Sequence, residues 1–168
     1  NAAYDQLVAD PAQPLVNRAI EGDLNPPGST FKLVVASAAL ASGGYTPDSA
    51  FPNVATYTLP QSTSIVRNAG GGACGDGDTV TIATALRLSC NIPFAELAVE
   101  LGDDEIRAEA EKYGFNSSFS MGVTSAASTY PSNLDDAQTA LSGFGQGSVR
   151  ATPLQMAMVS AGIANGGM

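Results

Sequence analysis

Histidine is absent from this 168-residue chain, and so is tryptophan. The first absence carries chemical weight, because it removes Ser-His-Asp triads, Cys-His pairs and nearly all zinc sites. A nucleophilic serine here must find another base, and lysine occurs only at Lys32 and Lys112. Positive charge is scarce throughout: seven Lys+Arg stand against sixteen Asp+Glu, a net charge of −9. The cations are scattered singly along the chain, so there is no basic stripe to follow a phosphate backbone, and nucleic acid is not expected as a partner. No CxxC motif is present, and no metal or other cofactor is expected. No apolar run approaches the roughly 20 residues of a membrane-spanning helix. The chain starts at Asn1 without an initiator Met and stops at Met168 after Gly166-Gly167, so both ends read as cut and an anchor outside the chain is compatible with it.

What is present suits one domain with a sizeable core: 44% hydrophobic and 14% charged residues, with Gly 18 and Pro 10 implying many turns. Two cysteines, Cys74 and Cys90, leave two readings open. One is a disulfide closing a loop of about 15 residues, worth roughly 3 kcal/mol in the chain-entropy model; the other is two separate thiols, with Cys90 packed as a small apolar residue.

Along the chain, Leu15–Ile20 is predicted as a short strand between Pro14 and Glu21-Gly22-Asp23. Residues 43–79 read as a long irregular excursion with strand candidates at Val54–Leu59 and Ser64–Arg67 and a Gly70-Gly71-Gly72 run. A helix is predicted from Thr81 to about Ser89, and a second from Ile92-Pro93 to Gly102, with Pro93 in its first turn. A third, Asp104–Tyr113, is capped by Asp103 and closed by Gly114. Residues 115–133 read as loop and Leu134–Ser142 as a short helix. A last helix through Ala164 opens with Thr152 as N-cap and Pro153 at its first position.

The chemistry centres on Pro26-Pro27-Gly28-Ser29-Thr30-Phe31-Lys32. Phe31, Val34, Val35, Ala38 and Ala39 follow at helical spacing until Gly43-Gly44. Ser29 therefore sits at or near a helix N-terminus, with Lys32 one turn on and their Cβ atoms about 5–6 Å apart. The positive end of the helix dipole and unpaired N–H groups face whatever the hydroxyl attacks. Ser89-x-Asn91, in a short break between helices, offers a hydroxyl to relay a proton and an amide to bond a peptide carbonyl or Lys32. Taken singly, each residue has a plain structural reading as a helix cap or a solvated lysine.

Their order and wording reverse that reading. Ser-x-x-Lys followed by Ser-x-Asn is the motif pair of β-lactamases and penicillin-binding proteins. With Asn17-Arg18-Ala19 and Gly145-Gln146-Gly147…Thr152-Pro153-Leu154-Gln155-Met156-Ala157, nearly the whole chain resembles the transpeptidase domain of monofunctional, class B penicillin-binding proteins, particularly the PbpA-like proteins of actinobacteria. The resemblance implies an α+β fold: a helical lobe packed on an antiparallel sheet with the site at their junction, this chain supplying most of the helices and a first strand or so. It implies Ser29 as nucleophile, Lys32 as base, and Ser89 and Asn91 as proton relay and substrate contact. Gly145-Gln146-Gly147 is expected to be scaffold.

The implied activity is peptidoglycan D,D-transpeptidation through a serine acyl-enzyme, with stem peptides as substrates and β-lactams as acylating mimics. The implied location is the extracytoplasmic face of the membrane, beside other cell-wall synthesis or division proteins. An exported location favours the Cys74–Cys90 disulfide. The family's Lys-Thr-Gly motif occurs nowhere in the chain, so residues 1–168 are expected to be the N-terminal part of the domain, completed by its remaining segment. A serine β-lactamase is the enzymatic rival, but the loop Ser128–Asn133 lacks the glutamate that activates deacylating water in class A enzymes. A β-lactam sensor or noncatalytic penicillin-binding module would keep Ser29 and Lys32 without turning over peptide.

Overall fold

Lys32, with its side chain fully enclosed, begins the helix around which the other elements pack. The computed structural model describes every residue except Met121, Val123 and Met168; the first two fall in the loop expected over 115–133, and the third is the residue at which the chain was expected to be cut. In chain order the elements are α1 (Ala2–Ala9), a 3₁₀ helix (Gly28–Phe31), α2 (Lys32–Ala41), β1 (Ala50–Pro52), β2 (Tyr57–Thr58), β3 (Ile65–Val66), β4 (Thr79–Thr81), α3 (Ile82–Arg87), α4 (Ile92–Leu101), α5 (Asp103–Lys112), α6 (Asp136–Ser142) and α7 (Pro153–Ala164).

α2 is buried on nearly every side because Val34, Val35, Ala36, Ala38 and Ala39 leave no polar face. A helix apolar all round must lie inside the molecule, and α3, α4, α5 and α7 all pack against it. α4 behaves likewise, burying Ile92, Phe94, Ala95, Leu97 and Ala98. α5 is the amphipathic outer layer, with Ile106 and Ala110 inward. The small residues of α2 and α4 let helix axes approach closely, and the volume left over is filled by Phe31, Phe115 and Tyr130. Phe115 meets Phe31 edge-on at 5.4 Å and Tyr130 stacks on it at 5.8 Å. Each such ring contributes about 1.5–3 kcal/mol by burial. The Tyr130 hydroxyl is satisfied by Ser142 Oγ at 2.9 Å.

The strands lie in two antiparallel pairs, β1 with β4 (Phe51 opposite Val80) and β2 with β3 (Tyr57 opposite Val66). The candidates at Val54–Leu59 and Ser64–Arg67 are realised as β2 and β3. β1 and β4 went unanticipated because three residues ending at Pro52 carry too little periodicity to register.

Three expectations are corrected, and one helix went unanticipated. Leu15–Ile20 is not a strand: turns run through it, closed by Val16 N–H to Gln13 O and Ile20 N–H to Asn17 O. Its apolar residues had suggested a strand, but among the described residues no strand pairs with them. This is α1: Tyr4, Leu7 and Val8 share a face at helical spacing, but three apolar residues are too few to register, and none of the helix is buried. Asp103 does not cap α5. Gly102, at φ 84°, holds the N-cap position, and the Asp103 carboxylate accepts instead from Leu134 N–H at 3.1 Å. α6 starts two residues later than predicted, at a capping box formed by Asp135 and Gln138. Thr81 and Thr152 cap α3 and α7, each accepting an N–H three residues on. Among the described residues no helix is long and apolar enough to cross a membrane.

Candidate active site

The Ser29 hydroxyl and the Lys32 amine come together because the chain enters α2 through a 3₁₀ turn. With three residues per turn, positions i and i+3 eclipse, so Lys32 Nζ lies 3.1 Å from Ser29 Oγ. Two contacts anchor the turn. Below it, the buried Phe31 ring is gripped by Phe115 and Tyr130. Beside it, Gly28 at φ 59° donates its N–H to Gly145 O at 2.9 Å. A Cβ on Gly145 would drive into the Gly28 backbone, so the glycine turn before α7 is shaped to receive the nucleophile loop. This close approach explains Gly145 physically and agrees with a scaffold role.

The Ser89 segment is built by the end of α3. Cys90 N–H reaches Ala85 O at 2.9 Å and Ser89 N–H reaches Leu86 O at 3.1 Å, the bond pair of a Schellman motif. Ser89 holds the left-handed position of that motif, φ 57°, where glycine is usual. The turn aims both Ser89 oxygens at the lysine: Lys32 Nζ donates to Ser89 O at 2.7 Å and lies 3.3 Å from Ser89 Oγ. Asn91 closes the ring, its Oδ1 accepting from Lys32 Nζ at 2.9 Å and its Nδ2 donating to Arg67 O at 2.9 Å. Of the two contacts expected of the Asn91 amide, the one to Lys32 is therefore made. All four predicted site residues form one cluster, although Lys32 lies 57 and 59 positions from Ser89 and Asn91.

Burial lowers the Lys32 pKa from 10.5 to about 8, since an ammonium loses hydration that four neighbouring oxygens replace only in part. The Phe94 ring lies 5.8 Å from Nζ, and Lys32 makes no ion pair with a carboxylate among the described residues, so no fixed negative charge restores the cation. A neutral amine has two N–H groups and one lone pair. Ser89 O and Asn91 Oδ1 can only accept and so take the two N–H groups. The lone pair is then free for the Ser29 O–H. Ser29 itself is exposed at the surface, in a first turn whose N–H groups have no intrahelical acceptor.

Cys74 and Cys90 are joined in a disulfide, which ties the glycine-rich loop to the residue after Ser89. A cleft of about 280 Å³ lies between them, lined by Asn68, Gly70, Gly71, Leu88 and Ser89 among others. Sequence reading missed Asn68. Its buried side-chain oxygen accepts from Asn91 N–H and Ile92 N–H at 2.8 and 3.1 Å. In sequence it is one polar residue before a glycine run, and nothing local separates it from a turn asparagine.

A buried lysine between a helix-borne serine and a Ser-x-Asn turn, inside a helical lobe with small antiparallel sheets, places the chain among domains built around a serine–lysine pair. The chain belongs to the penicillin-binding protein transpeptidase domain family, whose profile matches residues 1–168. It is 40% identical over 167 residues to the peptidoglycan D,D-transpeptidase PbpA of Mycolicibacterium smegmatis, covering 99% of this chain and 34% of that protein. It is 31% identical to the peptidoglycan D,D-transpeptidase MrdA of Acinetobacter baumannii, covering 98% of this chain and 25% of that one. Penicillin-binding protein A of M. tuberculosis, solved as its penicillin G acyl-enzyme complex, superposes with a TM-score of 0.91 at 40% identity, over 99% of this chain and 38% of the other. This chain thus spans about a third of the length of its PbpA relatives.

Proposed function

We propose that this chain carries the nucleophile half of a peptidoglycan D,D-transpeptidase. The observation that carries the reading is the enclosed Lys32 amine, hydrogen-bonded to Ser29 and to both members of the Ser-x-Asn turn. Neutral Lys32 takes the Ser29 proton as Oγ bonds the carbonyl carbon of the penultimate D-Ala of a stem peptide. The Ser29 N–H, at the positive end of the turn, stabilises the oxyanion; such a donor is typically worth about 10²–10³ in rate. As the peptide C–N bond breaks, the proton returns through Ser89 Oγ to the departing D-Ala amine. An amine of a neighbouring stem peptide then attacks the acyl-enzyme, giving the cross-link and freeing Ser29. The Asn91 Nδ2 group has a second N–H beyond the one given to Arg67 O, and this N–H serves a substrate carbonyl.

β-Lactams acylate the same serine by opening their ring amide. The family's Lys-Thr-Gly strand, from the remaining segment of the domain, adds the second oxyanion donor and a cation for the substrate carboxylate. The reading places the domain on the extracytoplasmic face of the membrane, where an oxidising environment suits the Cys74–Cys90 bond, among cell-wall synthesis or division proteins. Fluorescent penicillin is expected to label the intact protein covalently at Ser29, with Ser29→Ala unlabelled and digests of the unsubstituted protein placing the adduct on the Gly28–Lys32 peptide. Labelling retained in Ser29→Ala overturns the assignment.

A further inference from the structure

Asparagine is among the strongest N-cap residues, its side chain accepting from the N–H groups of the first helical turn. Asn91 occupies the N-cap position of α4 yet makes no such bond. Its backbone is helical, φ −86° and ψ −42°, and its amide is turned outward, Oδ1 to Lys32 Nζ and Nδ2 to Arg67 O. The cap is supplied from 23 residues away. Asn68 Oδ1 receives both Asn91 N–H and Ile92 N–H, and its Nδ2 is spent on Gly72 O at 3.0 Å. With 9% of its surface exposed, Asn68 has little else to bind. We propose that Asn68 is a positioning residue for the acyl-transfer site: by holding the Asn91 and Ile92 N–H groups, it fixes the Asn91 backbone so that the Asn91 amide holds Lys32 beside Ser29.

The effect is one of anchoring. When Asn68 loses its oxygen, the Asn91 and Ile92 N–H groups at the head of α4 lose their acceptor, and an unpaired buried donor drives the segment to rearrange toward water. A shift of Asn91 withdraws its Oδ1 from Lys32 and admits water to the amine. Asn68 also closes the glycine-rich loop, through its bond to Gly72 O and through Gly71 N–H to its own carbonyl at 2.9 Å. A loop-stabilising role alone must therefore be separated from positioning. Asn53 provides the control, since it pins the same loop through Cys74 N–H at 2.6 Å and Gly77 O at 2.9 Å without touching Asn91.

The inference rests on the functional reading above, so the test has two arms, both on the intact protein that carries this chain. In the first, fluorescent penicillin labels Ser29 in the unsubstituted protein, and Asn68→Ala slows labelling by about ten- to a hundredfold. Asn68→Asp, which keeps an acceptor oxygen for the Asn91 and Ile92 N–H groups while giving up the donor to Gly72 O, stays within a few-fold of the unsubstituted rate. In the second, the Lys32 side chain is titrated by NMR, its resonance assigned with Lys32→Arg. Asn68→Ala raises the midpoint by about one unit or more, toward the value of a hydrated lysine, and Asn53→Ala leaves it in place. Asn68→Ser, with a single short acceptor, gives the same readout should Asn68→Ala not fold. An unmoved midpoint in the Asn68 variant, or an equal shift in Asn53→Ala, overturns the positioning role. A moved midpoint in a protein that penicillin never labels overturns the functional reading and leaves the positioning role standing.

Discussion

Lys32 is costly to bury and is kept buried, which makes its titration a direct reporter of the site. Its pKa stands near 8 in the folded protein and 10.5 in an unfolded chain. Between those values the unfolded state binds more protons, so stability rises with pH from about 8 to 10.5, and the burial penalty is felt in full below 8. Denaturant melts across this window are expected to show that slope, and Lys32→Met is expected to lose it. Penicillin acylation in the intact protein is expected to rise with pH through about 8 as the amine becomes neutral, because only the neutral amine accepts the Ser29 proton. A rate independent of pH between 6 and 9 would remove Lys32 as the base. Sequence reading reached this residue by elimination: with no histidine and only two lysines, the base had few candidates. The depth of its burial was not legible, because that depth is set by α4 and the Ser89 turn, far away along the chain.

At the level of the element, the end of α3 shows stability exchanged for chemistry. A serine at φ 57° is worse placed than glycine by about 1 kcal/mol, and the Schellman geometry around it is one that glycine fills most readily. Ser89→Gly is therefore expected to raise the stability of the intact protein by about 0.5–1 kcal/mol in a denaturant melt while cutting penicillin acylation by about 10²-fold or more. A loss of stability would mean that the Ser89 side chain holds the turn together. The helices were largely readable, because α2, α3, α4 and α7 carry helical periodicity, caps such as Thr81 and Thr152, or a first-turn proline such as Pro153. The 3₁₀ entry to α2 was not readable: Gly28–Phe31 is compatible with either helix type, and the choice is made by the grip on Phe31 and the contact with Gly145. α1 went unread because it is wholly exposed, and Leu15–Ile20 misled because its apolar run, partly buried at Val16 and Ile20, is folded into turns.

Across the whole molecule, the site is assembled from three distant stretches. The Asn68–Cys74 loop and the Ser89–Asn91 turn are joined by the Cys74–Cys90 disulfide and the Asn68 bonds, and the Gly28–Lys32 turn meets them through the Lys32 amine. A cross-link closing a loop of this length contributes about 3 kcal/mol in the chain-entropy model. Reduction of the bond, or paired Cys74→Ser and Cys90→Ser substitution, is expected to lower the melting temperature by several degrees. Two free thiols found by mass spectrometry under nonreducing conditions would overturn the disulfide. The pairing was one of two open readings until the family resemblance implied export; the fold brings the two Cα atoms to 5.8 Å.

By itself the amino-acid sequence determined the chemistry available to this protein. A chain without histidine that sets serine and lysine one helical turn apart, and later presents Ser-x-Asn, has in order the parts that the proposed acyl transfer uses. It also determined most helices, because periodicity and caps are local. Only the tertiary structure decided that Lys32 is enclosed, that Gly145 lies against Gly28, and that Asn68 holds the head of α4. Each of these depends on contacts between residues 20 to 120 positions apart, whose free energies come from burial and hydrogen bonding across elements rather than from any local preference along the chain.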